Sequence, residues 1–379
     1  LGGDEFACVI PFDSQTPDKI DNLVSRMISK VAKPETIDGY PVENTMSVGI
    51  ATNLAKHEPE SEPIDAKTLM HRADIAMYHS KKQGRNRYFW FESTMESELR
   101  FRNELEVGIR RGIQNNEFVP YYEQQIDLAS NTLVGFEMLA RWNSPEFGLV
   151  NPAVFIPVAE KIGVIGQLSE QLIEQALVDA SEWNPKLTIS VNISPIQLRD
   201  PWFSQKLLKL LVKHNFPPKR LDIEITESCL HENLSVVKTM ITSLKNQGIQ
   251  ISLDDFGTGY SSLTQLRALP FDRLKIDRSF VGELNDEEAS EKIVNAIISL
   301  GNGLDLPITA EGIEDTKILA ALMGRGDLKG QGYLYGRPEP AELVRKRLAD
   351  LNLLCVNPAI EQAKTEIAEP LSNLRQGHA

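Results

Sequence analysis

Apolar residues at Ile20, Leu23, Val24, Met27, Ile28 and Val31 recur at helical spacing and predict a helix over Asp18–Ala32. A second helix is predicted over Asp65–Gln83, ended by Gly84. Short apolar runs at Phe6–Pro11, Thr45–Ala51 and Arg87–Phe91 read as strands, so residues 1–91 form a small α/β piece. Residues 92–116 read as one long, charge-rich helix with Met95, Leu99, Phe101, Leu105, Val107 and Ile109 as its apolar positions. From Phe118 to Leu351 the pattern changes. Strand-like runs at Val119–Ile126, Leu133–Trp142, Leu187–Ile193, Leu221–Glu227, Ile249–Asp254, Arg273–Asp277, Pro307–Ala310 and Gly330–Leu334 alternate with amphipathic stretches such as Ile165–Trp183, Ser204–His214, Val236–Gln247 and Glu288–Leu300. Eight strands in about 235 residues match a (β/α)₈ barrel. The first two are separated by only a few residues around Ser130-Asn131, which makes them a hairpin and one of them antiparallel. The expected fold is therefore α/β: a modified, TIM-like barrel with one antiparallel strand, behind a smaller α+β unit. The tail 353–379 carries a helix-compatible Ala359–Ala368 and is assigned no function.

Composition narrows the function classes. The 379 residues include 40 Lys plus Arg against 53 Asp plus Glu, a net charge of −13. An acidic surface argues against general affinity for nucleic acid. Three scattered cysteines make neither a disulfide framework nor a zinc site and fit a reducing, cytoplasmic compartment. No apolar run is long enough to form a membrane segment in this chain. The opening Leu1-Gly-Gly-Asp-Glu-Phe6 reads as the middle of a hairpin, so the chain is expected to begin inside a domain.

The chemistry is expected where polar residues interrupt or close the barrel strands. Glu137 lies inside Val134–Trp142, and Asn192 closes Thr188–Asn192. Glu224 and Glu227 lie in Leu221–Glu227, Asp254-Asp255 closes Ile249–Asp255, and Lys275 and Asp277 lie in Arg273–Asp277. Glu311 follows Pro307–Ala310, and Gln331 opens the last strand. A single carboxylate at a strand end is ordinarily just solvated; this many polar strand ends together are not. In a barrel they converge on the C-terminal face. Glu137, Glu224, Asp254, Asp255 and Glu311 in one mouth would repel unless cations neutralise them. Hard divalent ions such as Mg²⁺ or Mn²⁺ take oxygen ligands, and Asn192 offers one more. Neighbouring residues on a strand point to opposite faces, so Asp254 and Asp255 can share a site only where the strand ends; Gly257 and Gly259 are expected to supply that turn. An Asp shared between two ions is how a two-metal phosphoryl site is built. Lys275 is either a structural salt-bridge partner or a group that orients an attacking water.

These runs resemble known families. Leu1–Phe6, Arg72-Ala-Asp-Ile-Ala-Met-Tyr78 and Lys81-Lys-Gln-Gly-Arg-Asn-Arg87 resemble part of a GGDEF diguanylate cyclase domain. Glu137-Met-Leu139 with Arg141 and Trp142, Ser190-Val-Asn192, Glu224-Ile-Thr-Glu227, Asp254–Leu263, Lys275-Ile-Asp277, Ala310–Glu314 and Gln331-Gly-Tyr333 resemble, in order, the motifs of an EAL cyclic di-GMP phosphodiesterase. Met138 stands where the family usually has Ala and contributes no ligand. The resemblance implies residues 1–91 as the C-terminal part of a GGDEF domain, 92–105 as a connecting helix and 106–352 as the EAL barrel. It implies that Glu137, Asn192, Glu224, Asp254 and Asp255 bind metal, two Mg²⁺ or Mn²⁺ ions, and that Glu311 completes the metal–water shell. Lys275 would position the attacking water, and Glu227 would hold the loop after the Asp-Asp strand. Arg141 and Gln331 would meet the substrate, Arg141 through a phosphate. The reaction implied is hydrolysis of cyclic di-GMP to linear pGpG.

On the GGDEF side, the resemblance puts Gly2 and Gly3 against nucleotide, Asp4 or Glu5 on metal, and Lys81 and Arg85 near phosphates. Cyclase activity is not expected, since the βαβ stretch that precedes this motif in the family is not in the chain; a longer parent protein could be membrane-anchored. Homodimerisation through the EAL domain is implied by resemblance alone. One departure bears on specificity: Glu123 stands where the family usually has Gln. Its orientation depends on strand register, outward to solvent or inward to the mouth; the expectation carried forward is inward, against a guanine edge. Two rival readings are a catalytically silent cyclic di-GMP receptor and a two-carboxylate barrel glycosidase. The complete ligand set disfavours the first, and Asn192, Lys275 and the Asp254-Asp255 pair disfavour the second.

Overall fold

A computed structural model of the chain describes residues 3–11, 16, 18–53, 64–231, 234–259, 263–284 and 288–355. The chain divides into two compact units, Leu1–Leu105 and Glu106–Ala379, and the helix Ser93–Gln114 contains the boundary.

In the first unit, strands β1 (Glu35–Ile37) and β2 (Tyr40–Val42) form an antiparallel hairpin. Its two-residue turn is Asp38-Gly39, both at positive φ (51° and 85°), as a primed turn requires. Strands β3 (Val48–Ile50) and β4 (Tyr88–Trp90) pair in parallel. The helix Asp18–Val31 buries Ile20, Val24 and Ile28 against Met46, Val48, Ile50, Tyr88 and Trp90. The helix Ala66–Lys82 is capped by Asp65, whose side chain accepts from the Thr68 N–H at 2.7 Å. The strand expected at Phe6–Pro11 does not form: the segment is irregular, with Phe6 and Val9 almost fully exposed. An apolar run becomes a strand only if another backbone pairs with it, and among the described residues none does.

The second unit is built on strands β5 (Phe118–Asp127), β6 (Thr132–Ser144), β7 (Gly148–Val150), β8 (Thr188–Asn192), β9 (Leu221–Thr226), β10 (Gln250–Phe256), β11 (Arg273–Ile276), β12 (Ile308–Ala310), β13 (Leu328–Gln331) and β14 (Glu339–Pro340). Eight of them close a barrel in the order β5-β13-β12-β11-β10-β9-β8-β6, with β6 pairing back to β5. The neighbours from β6 through β13 run parallel, and β5 is antiparallel to both β6 and β13. Asp127 sets the β5–β6 turn: its carboxylate accepts from the Ser130 N–H at 2.7 Å and the Ser130 hydroxyl at 2.6 Å. The short pieces β7 and β14 extend β6 and β5.

Residues alternate along β9, β11, β12 and β10 as far as Asp254, and the alternation decides where the core lies. Leu221, Ile223 and Ile225, Ile251 and Leu253, Leu274 and Ile276, and Ile308 and Ala310 are buried apolar positions. Ile276, Ile308 and Ala310 join a cluster with Val294, Ile297 and Ile298 of the helix Glu288–Gly303 and with Ile318 and Leu322 of Thr316–Leu322. The intervening residues Asp222 and Glu224, Ser252 and Asp254, Lys275, and Thr309 are also buried, on the opposite strand face. The apolar core therefore lies between strands and helices, and the barrel axis is lined by polar and charged side chains. The expected helix at Ala359–Ala368 lies outside the described residues.

Candidate active site

Lys275 is the centre of the barrel mouth. It is fully buried on β11, and its Nζ lies 2.6 Å from Glu224 Oε2, 2.6 Å from Glu311 Oε1, 3.3 Å from Asp254 Oδ1 and 3.5 Å from Glu137 Oε2. Contact with Glu137, on the far strand β6, runs through the barrel interior. Glu311 stands just beyond the end of β12, where its N–H donates to the Ile276 carbonyl at 3.2 Å.

Glu137 is gripped by amides. Asn192 Nδ2 donates to its Oε1 at 2.5 Å, and Gln331 Nε2 donates to its Oε2 at 2.5 Å. An asparagine that spends its N–H on Glu137 offers its carbonyl oxygen to a cation. Gln331 ends the last barrel strand instead of opening it: the strand lies at Leu328–Gln331, ahead of the expected Gly330–Leu334, and Gly332 follows at φ +153°, where a Cβ would meet the Ile313 N and O at 2.4 Å.

Asp254 and Asp255 both reach the mouth, and the device is not the glycine turn alone. The β10–β11 ladder is irregular between Leu253 and Phe256, and Asp255 itself takes a left-handed φ of 55°. This local break cancels strand alternation. The carboxylate oxygens of Asp254, Asp255 and Glu311 lie within 4.8 Å of one another. Gly257, at φ +100°, continues the turn. Glu227 opens the short helix after β9, and its Oε2 accepts from the N–H of Gly257 at 3.0 Å and of Gly259 at 3.3 Å.

The expected substrate residues are spread over the same mouth. Glu123 is buried and pairs with Glu137 across the β5–β6 ladder. Tyr122 points the other way: its hydroxyl donates to Asp179 at 2.5 Å and its ring meets Trp183 at a centroid distance of 5.2 Å. Arg141, two turns of the pleat beyond Glu137, donates to the Ala140 carbonyl at 2.8 Å and lies over the Tyr121 ring. Sequence reasoning missed Gln125, which donates to Gln331 and Ser190. The available signal was alternation, since Gln125 shares the face of Glu123 on β5. In the first unit, Gly3 has φ +61°, Lys81 lies 3.9 Å from Glu5, and Asp4 is exposed. Arg85 has φ 56°, and Gly2 lies outside the described residues.

Electrostatics follow from this geometry. Burial alone would push the Lys275 ammonium down; Asp254, Glu137, Glu224 and Glu311 reverse that and hold it well above the lysine range. Burial raises Glu224, Asp254 and Glu311, and neighbouring carboxylates add to it. Asp255 is pushed up to about 6 by burial and by Asp254, and Glu123 to about 7 by burial and by Glu137. Glu137 goes the other way: burial opposes its charge, but Lys275, Gln331 and Asn192 outweigh it and lower its pKa. One ammonium cannot neutralise so many acids. An all-oxygen donor set with surplus buried negative charge fits hard divalent cations.

Comparison with known proteins identifies the family. The model of the EAL domain family matches residues 106–338, and that of the diguanylate cyclase GGDEF domain matches residues 1–87. The bifunctional diguanylate cyclase/cyclic di-GMP phosphodiesterase MucR of Pseudomonas aeruginosa is 35% identical over 346 residues, covering 90% of this chain and 49% of that protein. Signaling protein YkoW of Bacillus subtilis is 34% identical over 345 residues, covering 90% of this chain and 42% of that protein. The chain thus spans less than half the length of either relative. Among solved structures, the PaMucR phosphodiesterase in complex with c-di-GMP superposes with a TM-score of 0.61 at 35% identity, covering 64% of this chain and 99% of that one. The EAL enzyme Bd1971, in its cAMP and cyclic-di-GMP bound form, gives 0.63 at 28% identity, covering 75% of this chain and 76% of that one. With its ordered motifs, closed barrel and family match in hand, the chain belongs to the EAL domain family, with GGDEF domain sequence ahead of the barrel.

Proposed function

We propose that this chain is a metal-dependent phosphodiesterase that hydrolyses cyclic di-GMP to linear pGpG in bacterial second-messenger signalling. The observation that carries this reading is the mouth itself: Lys275 ringed by four carboxylates, continuous with the Asp254–Asp255–Glu311 group. The c-di-GMP complex of the 35%-identical PaMucR phosphodiesterase supports the substrate. Residues 106–352 are the catalytic module, 92–105 the connector, 1–91 the GGDEF portion and 353–379 an extension.

Glu137, Asn192, Glu224, Asp254 and Asp255 would hold Mg²⁺ or Mn²⁺, two ions in all, with Glu311 completing the shell. Bound there, the ions would supply Lewis acidity at a phosphate oxygen and a lowered pKa for a water. Lys275, protonated and immobile, orients the attacking water through its hydrogen bonds. Glu227 keeps the loop at Gly257–Gly259 in place and Asp255 with it. Arg141 and Gln331 bind the substrate, Arg141 at a phosphate. Water oxygen adds to phosphorus as one P–O ester bond breaks, leaving a terminal phosphate and a free hydroxyl. The test is incubation with cyclic di-GMP and Mg²⁺, reading pGpG by chromatography. Excess chelator should abolish the product; full activity with chelator present would overturn the metal mechanism.

Glu123 bears on substrate recognition. Its buried, inward position supports a guanine contact, where a carboxylate accepts from adjacent N–H donors. Glu123→Gln is expected to weaken cyclic di-GMP binding by about 1–3 kcal/mol. Calorimetry with Ca²⁺ replacing Mg²⁺ reads this without turnover. Tighter binding in the variant would point instead to repulsion between Glu123 and the phosphates.

A further inference from the structure

The barrel strand β5 carries a buried amide to which the chemistry above gives no task. Gln125 is 3% exposed and faces the barrel interior. Its Nε2 donates to Gln331 Oε1 at 3.4 Å and to Ser190 Oγ at 3.2 Å. Gln331 in turn has its Nε2 on Glu137 Oε2 at 2.5 Å, with the Glu123 carboxylate close by. The two ends of the Gln331 amide therefore meet opposite surroundings: carboxylates at the nitrogen, an N–H donor at the oxygen.

We propose that Gln125 is a positioning residue, which holds Gln331, and through it the Glu137 carboxylate, in the orientation that binds a divalent cation. The inference rests on the reading that this mouth is a metal site. An amide has one donor end and one acceptor end, and in a buried site both need partners. Gln125 supplies the donor for the Gln331 carbonyl. Without it, that carbonyl turns to find another donor and carries the N–H away from Glu137, or swings its own oxygen toward two carboxylates. Glu137 then keeps Asn192 on one oxygen but loses the amide that fixes the other. Ser190, on the strand that also carries Asn192, anchors Gln125 from the opposite side, so the relay Ser190–Gln125–Gln331–Glu137 ties β8, β5, β13 and β6 together at one level of the barrel.

The experiment uses the full chain and Mn²⁺ alone as the probe, with affinity read by electron paramagnetic resonance and folding by thermal denaturation. Gln125→Met keeps the volume and removes both hydrogen bonds. It is expected to weaken Mn²⁺ binding by about 10-fold to 100-fold, the range for groups that orient a metal ligand. Gln125→Asn keeps the amide one methylene short of Gln331; it is expected to show the same loss and serves if the methionine variant does not fold. In a double-mutant cycle, Gln125→Met is expected to change nothing further once Gln331→Met is present, because its effect passes through Gln331. Wild-type Mn²⁺ affinity in both Gln125 variants, or additive losses in the cycle, would overturn the inference. A fall in melting temperature with unchanged Mn²⁺ affinity would likewise reduce Gln125 to a packing residue and overturn it. Failure of the wild-type chain itself to bind Mn²⁺ would instead overturn the metal-site reading on which the inference stands.

Discussion

Replacing Lys275 with methionine is expected to cut cyclic di-GMP turnover by about 10²–10⁴-fold, the range for a positioned group that manages a reacting water. The variant should also be less stable than the wild type when metal is removed. Lys275 is fully buried and contacts Glu224, Glu311, Asp254 and Glu137, so methionine leaves those acids facing one another in a water-poor barrel. Removing one partner from a buried ion cluster costs about 3–5 kcal/mol. Methionine, unbranched and one atom shorter than lysine, removes the charge with little loss of volume. Thermal denaturation in chelator and again in Mn²⁺ reads the second effect, and the metal should restore more stability to the variant than to the wild type. Wild-type turnover in Lys275→Met would remove lysine from the mechanism.

Glu137→Ala is expected to yield no detectable pGpG. The position has two duties that separate by choice of substitution. Alanine deletes the ligand and also strands the buried donors of Asn192 and Gln331, at about 1–3 kcal/mol for each donor left unpaired. Glu137→Gln keeps the shape and removes only the charge. It should melt closer to the wild type, yet it too should lose turnover, because a neutral amide is a poorer cation ligand than a carboxylate. Chromatography for pGpG and denaturation of both variants distinguish the duties. Substantial turnover in either variant would take Glu137 out of the metal site.

The limits of the sequence are visible at particular residues. Phe6–Pro11 has the composition of a strand, but a strand is a pairing, and composition carries no information about the partner. The hairpin at β1–β2 turns on Asp38-Gly39, a strong turn pair, but its strands are three residues each, too short to show a side-chain period. Glycines after Asp255 suggested where the chain turns; the left-handed residue is Asp255 itself, an assignment that residue type permits but does not demand.

By itself the sequence determined the order of alternating strands and helices, the hairpin that opens the barrel, and the set of polar residues at strand ends. These are local properties, written in side-chain period and turn chemistry within a few residues of one another. Only the tertiary structure decided which of those residues meet. Lys275 and Glu137 are brought within 3.5 Å by barrel closure. The inward face of Glu123 and the outward face of Tyr122 were decided by the register of β5 against β6. The relay through Gln125 needs four strands at one level. Register and closure depend on contacts between residues far apart in the chain, and a shift of a single residue would have turned every one of these side chains to the other face of the sheet.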